Sequence, residues 1–332
     1  MKTITVFTPT YNRKHTLRRT YESLCHQSSN DFDWLIIDDG SSDGTREWVE
    51  SLGKKIVSYG KCFDWMGCPL MHVDDNHFVL LSFNTISGEP LRIEYIHKPN
   101  GGLYTGYNTA YETIQTELCV CIDSDDFMPD DAVEKIVAMW KEKGSEKYCG
   151  IEGLDFDIHT NQPIGGYFPD GLEEVFLHEL YSKKIHRGDT KQVLRTDLMR
   201  QVAPMEGFEG EKNFNPIYML VQVCDKYPML ILNDNLCTVE YQIGADSMSQ
   251  GIFRQYINSP KSFAKMRLME MSLRHNTMFD RFRSAVHYVS SCIISHDRRW
   301  LTNSNNRLLT ILACPLGLFL YYYILYKTHH QR

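Results

Sequence analysis

The sequence predicts an α/β protein with a mainly parallel central sheet flanked by helices. Two observations support this fold class. Short apolar runs alternate with helix-like segments along the first 135 residues, an order typical of parallel strands that are connected by helices. A polar motif also lies at the end of three of the apolar runs, at residues 8–12, 38–45 and 123–126. Because ligands of such sheets bind beyond the carboxyl ends of the strands, we expect the three motifs to share one crevice.

The elements of this half follow from local composition. Runs rich in β-branched and apolar residues predict strands, and the longer segments between them predict helices. The predicted strands are residues 4–8, 34–37, 91–96 and 118–122, and the predicted helices are residues 14–27, 45–52 and 108–115. Another helix is expected to begin near residues 129–131.

Residues 53–97 form an unusually long interval between two of the motifs. A structureless loop of this length is uncommon in a compact domain, and residues 79–83 (Val-Leu-Leu-Ser-Phe) are strand-like. We therefore expect a β-hairpin elaboration in this interval. A zinc site is a weaker alternative, because a structural site usually has a second close pair of cysteines. Its ligands would be Cys62, Cys68, His72 and His77.

The most informative motif is the acidic cluster at residues 123–126 (Asp-Ser-Asp-Asp), which directly follows the apolar run 118–122. Carboxylates crowded at the end of a buried strand repel one another and are costly to desolvate. A hard divalent cation, Mg²⁺ or Mn²⁺, relieves that cost, and such ions usually also hold substrate phosphates. The alternative is an acidic turn that caps the helix near residues 129–131.

Several motifs together resemble the family 2 glycosyltransferases of bacterial polysaccharide assembly, whose nucleotide-sugar-binding fold is called GT-A. They are Thr8-Pro9-Thr10-Tyr11-Asn12-Arg13, Asp38-Asp39-Gly40-Ser41-Ser42-Asp43-Gly44-Thr45, Asn100-Gly101-Gly102, Asn108 and Asp123-Ser124-Asp125-Asp126. Each motif is weak alone, whereas their order and spacing are specific. The resemblance covers residues 1–135 strongly and continues weakly through Gly188-Asp189 and residues 209–212 to residues 241–242.

The resemblance implies a binding site for a nucleoside-diphosphate sugar, with a UDP-sugar favoured. Its nucleotide-sugar-binding residues would be Thr8, Pro9, Tyr11, Arg13, Asp39, Gly101, Gly102, Asn108, Asp123 and Ser124. Asp39 would accept the N3–H of uracil. Asp125 and Asp123 would be the ligands of a divalent cation, Mn²⁺ or Mg²⁺, on the diphosphate.

The residues themselves leave alternatives open at several of these positions. Asp38 and Asp39 can form a turn with the glycine and serines that follow. Tyr11 can be a core residue, and a glycine pair such as Gly101 and Gly102 also occurs in ordinary loops. Lys98 is expected to be a solvated surface lysine.

An inverting glycosyltransferase needs a base for the acceptor hydroxyl, and members of this family usually supply it from a Gly-Glu-Asp-like motif. The matching segment is residues 208–212 (Phe-Glu-Gly-Glu-Lys). Glu211 is the preferred base, Glu209 is the alternative, and a solvated charged loop is the third possibility. Lys212 replaces the usual Asp, and Leu103 and Tyr104 stand where close relatives often carry Lys and His.

Charge and hydropathy separate the C-terminal region from the rest of the chain. Residues 252–332 hold 12 Lys/Arg and 3 Asp/Glu, a net charge of +9, so the remainder carries −16 of the total of −7. Residues 308–326 are apolar and nearly long enough to cross a bilayer core, but Pro315 and Gly317 are expected to break a helix there. We predict a helical extension that lies on an anionic membrane surface; a true span and a helix packed on the protein are alternatives.

The predicted domains are a GT-A catalytic domain at residues 1–250 and a basic helical region at residues 251–332. The first comprises a nucleotide-sugar-binding half at 1–128, with the 53–97 insertion, and an acceptor-binding half at 129–250. The ten cysteines show no disulfide framework and no signal peptide is recognisable, so we expect a cytoplasmic protein with reduced thiols.

The predicted function is transfer of a sugar from a nucleoside-diphosphate donor to a hydroxyl of a glycan acceptor, by metal-assisted inverting displacement. The membrane-associating region favours a lipid-linked acceptor and a peripheral position on the inner face of the cell membrane. No nucleic acid partner is expected. A nucleotidyltransferase and a catalytically degenerate sugar-binding or scaffold protein of the same fold are the alternatives.

Overall fold

The computed structural model describes residues 2–58, 70–240 and 251–330, without the side chains of residues 54–58. The chain divides into two compact units. The first unit comprises Met1–Gly101, Thr105–Pro204 and Tyr227–Tyr241, and the second comprises Gly102–Tyr104, Met205–Lys226 and Gln242–Arg332. The predicted domain boundary at residue 250 falls outside the described residues and stays a prediction; residues 205–226 group with the C-terminal helices.

The first unit is an α/β unit built on one sheet. Its strands are β1 Ile4–Thr10, β2 Phe32–Asp38, β3 Leu70–Asp74, β4 His77–Phe83, β5 Pro90–His97, β6 Leu118–Cys121, β7 Gly150–Asp157, β8 Gln162–Pro163, β9 Glu174–Val175, β10 Thr190–Arg195 and β11 Met229–Val239. Its helices are α1 Lys14–Cys25, α2 Thr45–Ser58, α3 Leu103–Thr113, α4 Ala132–Lys143, α5 Leu177–Ser182 and α6 Thr196–Val202. The first two residues of α3 are grouped with the second unit.

The sheet is parallel at its centre, antiparallel toward β3 and mixed toward β9. The strand order is β3-β4-β5-β2-β1-β6-β10-β7-β11-β9, with β8 paired to β7. Strands β5, β2, β1 and β6 run parallel to one another, as the alternation of strands and helices predicts. Their side chains, with those of the helices, form a continuous apolar core around Trp34, Val120 and Ile136. The predicted parallel sheet is therefore the central part of a larger mixed sheet.

The predicted hairpin in the 53–97 interval is confirmed. Strands β3 and β4 are antiparallel, and β4 is antiparallel to β5, so the insertion extends the sheet beyond its parallel part. The proposed zinc ligands Cys62 and Cys68 lie outside the described residues. Of the two histidines, His77 pairs with Glu94 through Nε2 and Oε1 at 2.7 Å.

The second unit is helical in its described part. Its helices are α7 Ile217–Cys224, α8 Ile252–Asn258, α9 Pro260–Glu270, α10 Met278–Ile294, α11 Trp300–Asn303 and α12 Arg307–His330. Helix α10 begins with a capping box, in which Thr277 and Asp280 bond each other's backbone N–H groups. Its apolar face packs against α9 and α12.

Helix α12 continues through Pro315 and Gly317, so the predicted break is wrong. The close approach to α10 explains the glycine, because a Cβ at Gly317 would lie 2.6 Å from the Val289 side chain. The opposite face is apolar and exposed, with Leu308 and Phe319 each 70% exposed. Among the described helices, α12 has the length and composition that a membrane span requires. The helix is thus packed along one face and uncovered along the other.

Candidate active site

The three polar motifs meet at one edge of the sheet, as predicted. The parallel register pairs Thr10 of β1 with Asp38 of β2, and Phe7 of β1 with Cys121 of β6. The ends of these three strands are therefore adjacent, and the residues that follow them lie at the same edge. This arrangement is a direct consequence of parallel pairing, because parallel strands present their carboxyl ends on one side.

Asp38 is a structural residue of the turn after β2. It is fully buried, and its Oδ1 accepts a hydrogen bond from the Ser41 N–H at 2.7 Å. Its Oδ2 accepts a hydrogen bond from the Tyr95 hydroxyl at 2.5 Å. These contacts agree with the turn-forming alternative for this residue.

Asp39 joins the β2 turn to the loop before α3. Its Oδ1 accepts hydrogen bonds from the Lys98 ammonium at 2.6 Å and from the Gly101 N–H at 2.9 Å. Its backbone carbonyl accepts another from the Asn100 side chain at 2.9 Å. The carboxylate is nearly buried, with 9% of its side chain exposed. A nucleobase donor at Asp39 would therefore bind a carboxylate whose orientation the loop already determines.

The prediction that Lys98 is a solvated surface lysine is wrong. Its ammonium pairs with Asp39 and also donates a hydrogen bond to the Thr105 hydroxyl at 2.6 Å. The physical reason is that a nearly buried carboxylate requires a counter-charge. The separation of 59 residues between the partners hides this pairing from local sequence patterns.

The residues of the first motif, at the end of β1, differ in how far they are exposed to solvent. Thr8 is fully buried and its hydroxyl accepts a hydrogen bond from the Trp34 indole at 3.0 Å. Pro9 is likewise buried, and the contacts of both residues with the donor stay predictions. Tyr11 is 51% exposed, so the core alternative for it is wrong. Arg13 is half-buried at the start of α1.

Asn12 connects two turns at this edge of the sheet, a role that its local sequence does not predict. It adopts the left-handed backbone conformation, with φ of 53°, which asparagine tolerates better than most residues. Its N–H donates to the Ser41 hydroxyl, and its side-chain oxygen accepts a hydrogen bond from the Ser42 N–H, each at 2.8 Å. Asn12 thereby ties the β1 turn to the β2 turn.

The two glycines before α3 are explained by packing. A Cβ at Gly101 would lie 2.8 Å from the Thr105 hydroxyl oxygen. Gly102 has a φ of 94°, and a Cβ there would lie 2.0 Å from the Lys212 carbonyl oxygen within the second unit. Close approach of protein backbone thus accounts for both residues without a phosphate. Asn108 is half-buried on α3.

The acidic cluster has an exposed and a buried part. Asp123 is exposed and Asp125 is half-buried, whereas Ser124 and Asp126 are buried. Desolvation by the surrounding protein raises the pKa of Asp123, Lys191 opposes that rise and Asp125 adds to it. Burial raises the pKa of Asp126 to about 7, against the attraction of Lys191. The two carboxylates nearest the surface are those predicted as metal ligands.

Lys191 and Asp155 extend the cluster, and local sequence patterns did not reveal them. The antiparallel pair Val193–Val120 brings β10 alongside β6, so Lys191 lies level with the end of β6. Its ammonium is 3.9 Å from Asp155 Oδ1. Burial raises the pKa of Asp155 to about 6, opposed by Lys191. The sheet register, which depends on long-range pairing, is the only signal that connects these residues.

The donor set fits a hard divalent cation. Asp123 and Asp125 supply carboxylate oxygens that reach the surface, and the ion pairs between described residues include neither of them. Mg²⁺ typically takes one or two carboxylates and completes its shell with water and substrate phosphate. Among the described residues, no group of three or more His, Cys, Asp or Glu side chains is arranged to hold a metal ion.

Glu211 lies in the second unit, at the N-terminus of α9. Its carboxylate accepts hydrogen bonds from the Lys261 N–H at 3.0 Å, the Ser262 N–H at 2.8 Å and the Ser262 hydroxyl at 2.7 Å. Only 8% of the residue is exposed. Helices leave their first N–H groups unpaired, so Glu211 caps α9. Glu209 is exposed.

Comparison with known proteins finds a family match over part of the chain. Residues 5–63 and 79–158 match the model of glycosyl transferase family 2. The chain carries a family 2 glycosyltransferase domain. The matched region contains the β1, β2 and β6 motifs, and it spans the 53–97 insertion, within which residues 64–78 are not matched. The family resemblance predicted from the motifs is confirmed.

One similar protein is named for teichuronic acid biosynthesis. The chain is 25% identical over 196 residues to TuaG of Bacillus subtilis (strain 168), which is named as a teichuronic acid biosynthesis glycosyltransferase. The match covers 57% of this chain and 64% of TuaG, less than two thirds of that relative's length.

Solved structures confirm the GT-A fold of the glycosyltransferase domain. S. aureus TarS is 15% identical with a TM-score of 0.57, over 98% of this chain and 55% of the TarS chain. A TarS 1–349 structure in complex with UDP has a TM-score of 0.51. The mannosyltransferase PcManGT from Pyrobaculum calidifontis, in complex with GDP-Man and Mn²⁺, is 12% identical over 99% of this chain and 83% of its own, with a TM-score of 0.50.

The glycosyltransferase domain departs from the family pattern after the glycine pair, and packing explains one departure. Tyr104 lies against Gly207, where a Cβ would be 2.1 Å from the tyrosine hydroxyl oxygen. Its ring centroid is 6.0 Å from that of Phe214. These residues all belong to the second unit. Tyr104 is thus a packing residue of that unit.

Proposed function

We propose that the protein transfers a sugar from a nucleoside-diphosphate donor, with a UDP-sugar favoured, to a hydroxyl of a glycan acceptor. The observation that carries this proposal is the placement of Asp39, Asp123 and Asp125 after the carboxyl ends of β2 and β6, the two parallel strands on either side of β1. Ligands of open α/β sheets bind at that edge. A UDP complex of TarS and a GDP-Man complex of PcManGT support a nucleotide donor.

Each site residue has a proposed task that its position permits. Asp39 receives the base N3–H, and the exposed Tyr11 and the half-buried Arg13 flank the base and ribose. Asp123 and Asp125 would hold Mn²⁺ or Mg²⁺, and the ion would supply Lewis-acid stabilisation of the charge on the leaving diphosphate. Mn²⁺ in the PcManGT complex supports this assignment.

For the base we keep Glu211, with Glu209 as the alternative. This assignment rests on the resemblance of residues 208–212 to the family's acidic motif. The α9 N–H groups hold the Glu211 carboxylate in one orientation, and a base must be positioned before its protonation behaviour matters. The proposed mechanism is an inverting displacement.

We further propose a lipid-linked acceptor and a peripheral position on the cytoplasmic face of the cell membrane. The exposed face of α12 is apolar, and Arg307 and Lys327 flank the apolar segment. Apolar burial and attraction to anionic headgroups then act together. The packed face of α12 argues for a helix that lies on the membrane rather than one that crosses it.

The decisive experiment measures UDP release from a panel of UDP-sugars, with and without Mn²⁺. A transferase releases UDP in proportion to an added glycan acceptor. A nucleotidyltransferase instead releases pyrophosphate from UTP and a sugar 1-phosphate, and a degenerate binding protein binds UDP without turnover. Asp125→Asn should abolish release, whereas Asp130→Asn, at an exposed position outside the proposed site, is the matched control.

A further inference from the structure

The acidic cluster contains its own cation. The Lys191 side chain is only 12% exposed, and its ammonium lies 3.9 Å from Asp155 Oδ1. Burial alone would lower its pKa, but Asp155, Asp126 and Asp123, together with Cys237, raise it well above the ordinary value. The ion pair with Asp155 places a nearly buried ammonium group beside the cluster.

The position of Lys191 restricts what this charge can do. The residue belongs to β10, which is hydrogen-bonded to both β6 and β7. Its backbone is consequently fixed on both sides, and its ammonium faces carboxylates rather than solvent. A divalent cation on Asp123 and Asp125 would be attracted by the same group of carboxylates as the Lys191 ammonium. The metal ion and the ammonium would repel each other.

We infer that Lys191 is a built-in counter-ion that keeps the affinity of Asp123 and Asp125 for a divalent cation low until a nucleoside diphosphate is bound. The inference rests on the proposed function. The diphosphate contributes negative charges that offset the repulsion from Lys191, so the cation and the donor bind together. In this role Lys191 is a positioning residue, which acts on the bound cation through the carboxylates around it.

Two variants of the full chain, one that removes a positive charge and one that removes a negative charge, test this inference. Binding of Mn²⁺ alone is measured by electron paramagnetic resonance and titration calorimetry, without nucleotide and without turnover. Lys191→Met removes the repulsion and should tighten Mn²⁺ binding by about tenfold or more. Asp155→Asn, which preserves volume, removes attraction and should weaken it. The double variant restores the charge balance and should bind Mn²⁺ as the unmodified protein does.

Lys141→Met is the matched control for removal of one positive charge. Lys141 pairs with Asp31, which bonds Thr3 just before β1 begins, at the opposite edge of the sheet. This variant should leave Mn²⁺ affinity unchanged. Unchanged or weaker Mn²⁺ binding by folded Lys191→Met would overturn the inference. If that variant fails to fold, unchanged or tighter binding by Asp155→Asn would overturn it equally.

The nucleotide arm separates failure of the inference from failure of the proposed function. With UDP present, the unmodified protein should bind Mn²⁺ more tightly than without it. If UDP has no such effect, the proposed metal-assisted donor site is wrong. If Lys191→Met weakens UDP binding in the absence of metal, Lys191 contacts the diphosphate directly and the counter-ion role is refuted.

Discussion

Replacing Glu211 by Gln should destabilise the second unit by about 2–4 kcal/mol, because the carboxylate both carries charge and accepts three hydrogen bonds at the N-terminus of α9. Gln offers one oxygen and one NH₂ group. The NH₂ group would face an N–H of Lys261 or Ser262, so one buried backbone donor loses its partner. Hydrogen bonds to charged groups contribute about 1.5–3 kcal/mol each relative to water, and a charge at a helix N-terminus adds about 0.3–1 kcal/mol.

The assay combines urea unfolding with kinetics, because Glu211 has a demonstrated capping contact and a proposed catalytic task. If Glu211 is also the base, turnover of the folded variant should fall at least about 100-fold while UDP affinity, measured by titration calorimetry, is retained. Thr277→Ala is the matched control. It removes an exposed cap from α10, should cost about 1 kcal/mol and should leave turnover unchanged.

Different results refute different parts of this reasoning. A Glu211→Gln variant within about 0.5 kcal/mol of the unmodified protein would refute the capping argument, since surface substitutions have effects of that size. Destabilisation with normal turnover would make Glu211 a cap only. Glu209→Gln, at an exposed position, would then be the next variant to test. Equal loss of UDP binding and turnover would remove Glu211 from the role of base.

Three further predictions follow from the described contacts. Asp125→Ala should abolish transfer and leave the unfolding transition intact, because the residue lies beyond a strand end; normal turnover in the presence of EDTA would contradict the metal role. Asp39→Ala should weaken UDP affinity, measured by calorimetry, more than it lowers the turnover rate at saturating donor, measured from initial rates. Burial raises the pKa of Glu152 from 4.5 to about 7, so the folded state retains a proton that the unfolded state releases, and stability should fall by up to about 3 kcal/mol between pH 4.5 and 7. Glu152→Gln should abolish this part of the pH dependence in urea unfolding at pH 5 and pH 8, and an unchanged dependence would contradict it.

The central part of the fold was predictable because its signals are local. The β1, β2 and β6 runs are short and apolar, and each is followed by a motif whose place at the sheet edge follows from parallel pairing. The antiparallel half was not predictable in the same way. Strands β7, β10 and β11 pair across long separations, and β7 is antiparallel to β10 but parallel to β11. Lys191 and Asp155 therefore remained unconnected to the acidic cluster until the register was known.

The interruption predicted within α12 shows a different limit of sequence reasoning. Proline disfavours a helix interior because it lacks an N–H and crowds the preceding turn, but that cost is local and packing can offset it. Gly317 faces α10, where only a residue without Cβ permits the observed approach to Val289. The same glycine that argued for a break thus stabilises the packed helix. Helix propensities are weak where tertiary contacts compensate for them.

The exposed face of α12 allows a test that leaves the packed face unchanged. Deleting residues 303–332 would uncover the α10 face around Ala285 and Val289, so aggregation would result whether or not α12 binds lipid. Replacing Leu308, Leu312 and Phe319 by Ser changes side chains that are 70%, 60% and 70% exposed. The packed face of α12 keeps all of its side chains. If this face binds the membrane, the triple variant should move from anionic vesicles to the soluble fraction while its melting temperature stays the same. Its activity on a short soluble acceptor should persist, and its activity on a lipid-linked acceptor should fall. Retention on anionic vesicles at moderate salt would refute the apolar contact, because the remaining basic side chains are screened under those conditions.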